Sequence, residues 1–151
     1  MQKKNNSQTR ILVFGTFDVM HPGHINFFKQ ARKLAKNPYL IVSVARDANV
    51  KRIKGKKPFM KESRRLEHLK KNKLVDLAVL GGKNQHLPHI VKLKPDLIAL
   101  GYDQKAYVDN LREDLLKLGL KVRIRRMKAY KPNFHKSSLL KLRKPSNYVI
   151  L

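Results

Sequence analysis

The chain has 151 residues, with 35 lysines and arginines against 10 aspartates and glutamates, a formal net charge of +25 and a sequence pI near 10.6. A hydrophobic content of 42% excludes a disordered polybasic tail, and a chain of 17.6 kDa buries roughly 70% of its unfolded surface in one core. The absence of cysteine excludes disulfides, thiolate nucleophiles and cysteine-bound metal, and the polar start and lack of a run of about 20 apolar residues predict a cytoplasmic protein that spans no membrane.

Residues 1–9 read as a disordered extension, 10–144 as a single domain and 145–151 as a tail. The first apolar run, RILVFG at 10–15, predicts a buried strand closed by Gly15. An amphipathic pattern follows, with Phe27, Phe28, Ala31, Leu34 and Ala35 on one stripe and Lys29, Arg32, Lys33 and Lys36 opposite. It predicts a crossover helix with Pro22 at its first position. PYLIVSVA at 38–45 is the second strand, and a loose basic stretch around Lys54-Gly55-Lys56-Lys57-Pro58 leads to a helix over about 62–71. Strands at 76–82, 96–103 and 120–127 then alternate with helices at 86–93, 108–118 and 136–143. Such alternation predicts an α/β fold, Rossmann-like and three-layered, with a five-stranded parallel sheet and helices on both faces.

The most informative stretch joins the first strand to its helix: Gly15-Thr16-Phe17-Asp18-Val19-Met20-His21-Pro22-Gly23-His24. A glycine at the strand end admits a ligand to the backbone, and Pro22 and Gly23 set up an unobstructed first turn. First-turn amides lack intrahelical acceptors and carry the positive end of the helix dipole, so they favour an anion. His21 and His24 add donors whose hydrogen bonds strengthen as charge builds on a phosphorus under attack. Neither a GxGxxG fingerprint nor a GxxxxGK[ST] phosphate loop is present, which argues against an ordinary dinucleotide-binding domain or P-loop enzyme.

Written as GTFDVMHPGH, this stretch resembles the signature of the HxGH-motif nucleotidyltransferase superfamily. The resemblance covers roughly residues 10–143. VARDANVKRIKGKKP at 44–58 is similar to that family's second strand and basic loop, ESRRLEHL to its Glu-x-Arg helix, and PDLIALGYDQ to its fourth strand with the Gly-x-Asp of the nucleotide site. Lys128 to Lys131 and the Ser137-Ser138 pair bring the chain nearest to the archaeal-type FAD synthases, which are FMN adenylyltransferases. Glycerol-3-phosphate cytidylyltransferases and sugar-phosphate adenylyltransferases share much of the pattern. The resemblance implies direct in-line transfer of a nucleoside monophosphate, best ATP's, to a phosphorylated acceptor, best FMN, with release of pyrophosphate. It also implies Mg²⁺ held mainly through the triphosphate, and is compatible with a homodimer.

Under that resemblance His21 and His24 hold the α-phosphate, and Lys54 and Arg64 the β- and γ-phosphates, a lysine as a mobile point charge and an arginine as a bidentate fork. Gly15, Thr16, Phe17, Asp18, Pro22, Gly23, Arg46, Gly101, Asp103 and Tyr130 form the nucleotide site. Ser137 and Ser138 open the last helix, where they act as an N-cap or present its amides to phosphate. Asp103, after a glycine, suits a ribose hydroxyl or base amine, with a helix N-cap or turn as the lesser alternative. His86 and His89, three apart, have no nearby carboxylate or cysteine to complete a metal site, so no metal ligands are assigned. From charge alone, a domain binding nucleic acid nonspecifically is the competing reading, although no aromatic-rich RNA-recognition pattern or basic helix-turn-helix is present. A non-catalytic nucleotide sensor is the third.

Overall fold

The computed structural model describes residues 7–83, 86–104 and 108–130. The predicted last helix at 136–143, with Ser137 and Ser138, and the tail lie outside them. The strands are β1 (Thr9–Gly15), β2 (Pro38–Val44), β3 (Leu77–Leu80), β4 (Leu97–Leu100) and β5 (Arg123–Arg126). They pair only in parallel, in the order β3-β2-β1-β4-β5. The helices are α1 (Pro22–Arg32), α2 (Asp47–Lys54), α3 (Glu62–Lys70), α4 (His86–Leu93) and α5 (Val108–Lys117).

The period-two geometry of β1 divides its apolar run between two layers. Ile11 and Val13 face a cluster with Phe28 and Ala31 of α1 and Leu69 of α3; Leu12 and Phe14 face Ile90 and Leu93 of α4 and Leu111 and Leu115 of α5. All four β1 side chains are buried, each contributing roughly 1.5–3 kcal/mol relative to exposure. A strand buried on both faces reads as a continuous apolar run, which is why β1 and β2 are so legible.

From β1 the chain builds outward to β2 and β3, then returns to the other side of β1 for β4. The order therefore reverses between β1 and β4, and the crevice beyond their carboxyl ends is where such sheets bind ligands. Gly15, Arg46 and Gly101 all sit at strand carboxyl ends.

The structure departs from the sequence expectation in two places. Thr9, expected outside the domain, already belongs to β1, pairing with Pro38. Residues 47–54, expected as a basic loop, form α2: Asp47 lies in its first turn and Gly55 ends it at φ +81°. That left-handed angle suits glycine, and the amide of Gly55 closes the last turn on the carbonyl of Lys51 at 2.8 Å. A helix of eight residues has too short an apolar stripe to reveal itself by periodicity, and its buried Val50 joins only Ala45 and Ile53.

Candidate active site

His21 is the N-cap of α1. Its backbone is extended, and its Nδ1 accepts from the Gly23 amide at 3.0 Å, satisfying one of the helix's free donors. The next helical turn brings His24 beneath it, and the imidazoles stack with centroids 3.7 Å apart. A Cβ at Gly23 would come within 2.8 Å of the His21 ring, so a glycine here lets the capping histidine fold back over the turn. His24 also meets the edge of Phe17, with centroids 5.3 Å apart. Its Nδ1 is buried and has no hydrogen-bond partner among the described residues. Burial, then the charges of His21 and Lys54, pull its pKa from 6.5 down to about 4, so the ring is neutral at physiological pH. A neutral imidazole can still donate through one nitrogen and accept through the other.

Phe17 takes φ +50°, rare for a bulky residue, and this turns its ring back under the loop. The ring is buried against Phe28, and a Cβ on Gly15 would fall 2.6 Å from it. The ring of Phe17 thus leaves no room for a side chain at position 15. Gly15→Ala should displace the ring and destabilise the fold by about 1–3 kcal/mol, in the range of overpacked cores, as read by urea denaturation.

Thr16 lies between two cations. Lys54, at the end of α2, reaches its Oγ1 at 3.4 Å, and the guanidinium of Arg65 donates to its carbonyl at 2.8 Å. Loss of solvent around the Lys54 ammonium lowers its pKa, while Asp18 and Asp103 pull the other way, so both carboxylates face this lysine. The oxygens of Asp18 are engaged: they accept from the amides of Phe59 and Met60 at 2.6 and 2.8 Å. Asp18 therefore anchors the segment between α2 and α3. Asp103 lies across the crevice after β4, its pKa raised by burial. Its turn is shaped by Gln104, which accepts from the Gly101 amide at 2.7 Å and donates to the Phe14 carbonyl at 3.1 Å, and by Arg126, which donates to the carbonyls of Gly101 and Tyr102.

The amino ends of α2 and α3 are joined reciprocally. The Asp47 amide donates to Glu62 at 2.9 Å, and the Glu62 amide donates to Asp47 at 3.2 Å. Arg46 pairs with Glu62 at 3.1 Å and Arg65 with Asp47 at 2.7 Å. Arg46 also donates to the Gly81 carbonyl at 2.8 Å. Beside this tetrad Arg46, Asn49, Arg52, Glu62 and Lys83 line a cavity of about 650 Å³ at the ends of β2 and β3. A second cavity, about 510 Å³, lies against α1 and is lined by Met20, His21, Pro22, Ile25, Asn26, Lys29 and Tyr130. Gln30 holds the approach to Tyr130 by exchanging two 2.8 Å bonds with the backbone of Lys128.

The predicted residues Gly15, Thr16, Asp18, His21, His24, Lys54 and Asp103 thus gather at one end of the sheet, with Pro22 and Tyr130 on the flank of α1. Arg64 is not drawn in: it is exposed, and the inward arginine of α3 is Arg65, fully buried. Its signal was positional, because Arg65 and Leu69 are four apart and share the stripe that enters the core. His89 bonds Ser43 at 2.8 Å. Among the described residues no three of His, Asp and Glu converge as a metal site, and no helix is long and apolar enough to cross a membrane.

A parallel sheet with a paired-histidine helix start at its switch point defines a nucleotide-handling α/β protein. The chain belongs to the cytidylyltransferase-like family, whose model matches residues 12–143. It is similar to the FAD synthase of Korarchaeum cryptofilum, 46% identical over 130 residues that cover 85% of each chain. The FAD synthase of Methanosarcina barkeri is 45% identical over 119 residues, 79% of this chain and 83% of that one. Among solved structures, a lipopolysaccharide core biosynthesis protein from Thermoplasma volcanium is 39% identical with a TM-score of 0.75, covering 82% of this chain and 98% of that one.

Proposed function

We propose that this chain is an FMN adenylyltransferase that makes FAD. A phosphate oxygen of FMN attacks the α-phosphorus of ATP in line, the new phosphoanhydride bond forms as the α–β bond breaks, and pyrophosphate leaves. No protein nucleophile is needed, because positioning and charge stabilisation suffice for this chemistry. The observation that carries the reading is the stacked His21–His24 pair at the start of α1, with an unpartnered Nδ1 on a neutral His24. The similarity to FAD synthases over most of the chain supports the choice of substrates.

His21 and His24, with the first-turn amides of α1, hold the α-phosphate and its developing charge. Lys54 holds the β- and γ-phosphates as a mobile cation, and Asp103 receives a ribose hydroxyl. The Ser137–Ser138 pair, outside the described residues, is assigned to the same phosphates. A divalent cation, Mg²⁺ by preference, would be held chiefly by the triphosphate oxygens, since both carboxylate oxygens of Asp18 are already engaged with backbone amides. It supplies charge neutralisation on the phosphates.

The test is a matrix of ATP and CTP against FMN, glycerol 3-phosphate and a sugar phosphate, read by pyrophosphate release and by chromatography of the product. FAD from ATP and FMN is the expected result. A CTP preference with glycerol 3-phosphate would move the chain to the cytidylyltransferases, and ATP binding without turnover of any acceptor would make it a sensor.

A further inference from the structure

The excess of positive charge is not spread evenly over the three layers. The α1 and α3 layer with its following loops, residues 22–37 and 61–73, carries ten basic and two acidic residues. The α4 and α5 layer, residues 86–96 and 108–121, carries five and four. Among the described helices and their loops, one face of the sheet is strongly cationic and the other is nearly balanced.

Within the cationic layer the charges concentrate at the end remote from the crevice. Lys33 and Lys36 follow α1, and Lys70, Lys71 and Lys73 end α3 and enter its loop; all five are exposed. The fold fastens these two loops together: Arg32 donates to the Leu74 carbonyl at 3.0 Å and pairs with Asp76 at 2.7 Å, and Asp76 in turn accepts from the Leu40 amide at 2.8 Å. Asp76 is consumed by Arg32 and Leu40, and residues 29–37 and 70–75 contain no other acid. Among the described residues none of the five lysines has an ion-pair partner.

Two ordinary explanations fall short. Basic residues complement the negative end of a helix dipole, but that effect fades within the last turn, and Lys36 and Lys73 lie beyond their helices. Steering of a triphosphate also fails, because the 11 residues of α1 separate this end from the crevice by about 16 Å, twice the roughly 8 Å Debye length at physiological ionic strength.

We propose that this patch is a docking surface for the phosphodiester backbone of nucleic acid, contacted without regard to sequence. Lysines are compact point charges suited to phosphate oxygens, and a patch of five offers no planar fork for reading base edges. A membrane surface fits less well, since interfacial binding needs apolar side chains to insert. The large exposed apolar residues, Val19, Phe59, Tyr102, Leu116, Leu118 and Tyr130, all lie outside residues 32–37 and 70–75. The inference is independent of the adenylyltransferase reading.

The test uses a fluorescein-labelled random-sequence DNA duplex and fluorescence anisotropy over a salt series. Lys33, Lys36, Lys71 and Lys73 are changed together to Gln, and a control of equal charge loss changes Lys92, Lys94, Arg112 and Lys117 to Gln. Each phosphate contact contributes about 0.9 to the slope of log affinity against log salt. The first variant should lose about 3 to 4 from that slope and bind at least tenfold more weakly at about 0.1 M salt. The control should keep the wild-type slope, and both should match the wild type in thermal melting and pyrophosphate release. No wild-type binding at that salt, equal losses in both variants, or no loss in the first would overturn the proposal. So would sedimentation with phosphatidylserine vesicles in place of duplex binding.

Discussion

His24→Ala should lower turnover by about 10² to 10³ in a pyrophosphate-release assay, the cost of removing one preorganised donor to a developing oxyanion. Its Michaelis constant for ATP should change far less, because the interaction grows only as the reaction proceeds. The environment of His24 sharpens this expectation. A ring stacked on His21 and shielded by Phe17 need not be reoriented when the phosphate arrives. Burial first, then the nearby charges, depress its pKa to about 4. In the unfolded chain the same histidine takes up a proton near pH 6.5, so between roughly 6.5 and 4 the unfolded state binds more protons. Stability therefore falls as pH falls through that window, and His24→Ala should lack this part of the decline in urea melts. Turnover that required a protonated His24 would instead rise steadily as the pH falls toward about 4. Near-wild-type turnover of His24→Ala would remove the assignment.

The fold was legible because β1 and β2 are buried on both faces, so their residues form unbroken apolar runs bounded by turn residues. The start of α1 was legible for a different reason: Pro22, Gly23 and two histidines stand within four positions, where local backbone chemistry dictates geometry. What sequence did not disclose is which polar groups pair across the fold. Arg46 and Asp18 read as nucleotide ligands, and nothing local announced that Arg46 also spans Gly81 and Glu62 or that Asp18 also fixes Phe59 and Met60. These partners are 16 to 42 residues away, and no local pattern encodes them. Charge density likewise hides Arg65, one of eleven basic residues between 51 and 73 and the one that the fold buries completely.

That burial makes Arg65 the second position of large effect. Its guanidinium donates to the Thr16 carbonyl at 2.8 Å, the Met60 carbonyl at 3.0 Å and the Asp47 carboxylate at 2.7 Å, joining the loop after β1, the segment before α3 and the start of α2. Arg65→Met fills similar space but leaves three acceptors without a donor. Breaking a buried pair from one side costs about 3–5 kcal/mol, and because the Asp47 side chain keeps 30% of its exposure the lower end applies. A loss of roughly 3 kcal/mol should lower the urea midpoint by about 1–2 M. Arg65→Lys keeps the charge but has no planar fork to span three acceptors, so it should recover only part of that loss. The surviving folded fraction should also bind ATP more weakly, since Thr16 and the segment anchored by Asp18 lose a shared tie while His21 and His24 keep theirs. Turnover at saturating ATP should fall less than in His24→Ala. An Arg65→Lys protein equal to wild type in midpoint and ATP affinity would show that charge alone, not the three-way fork, holds the loop in place.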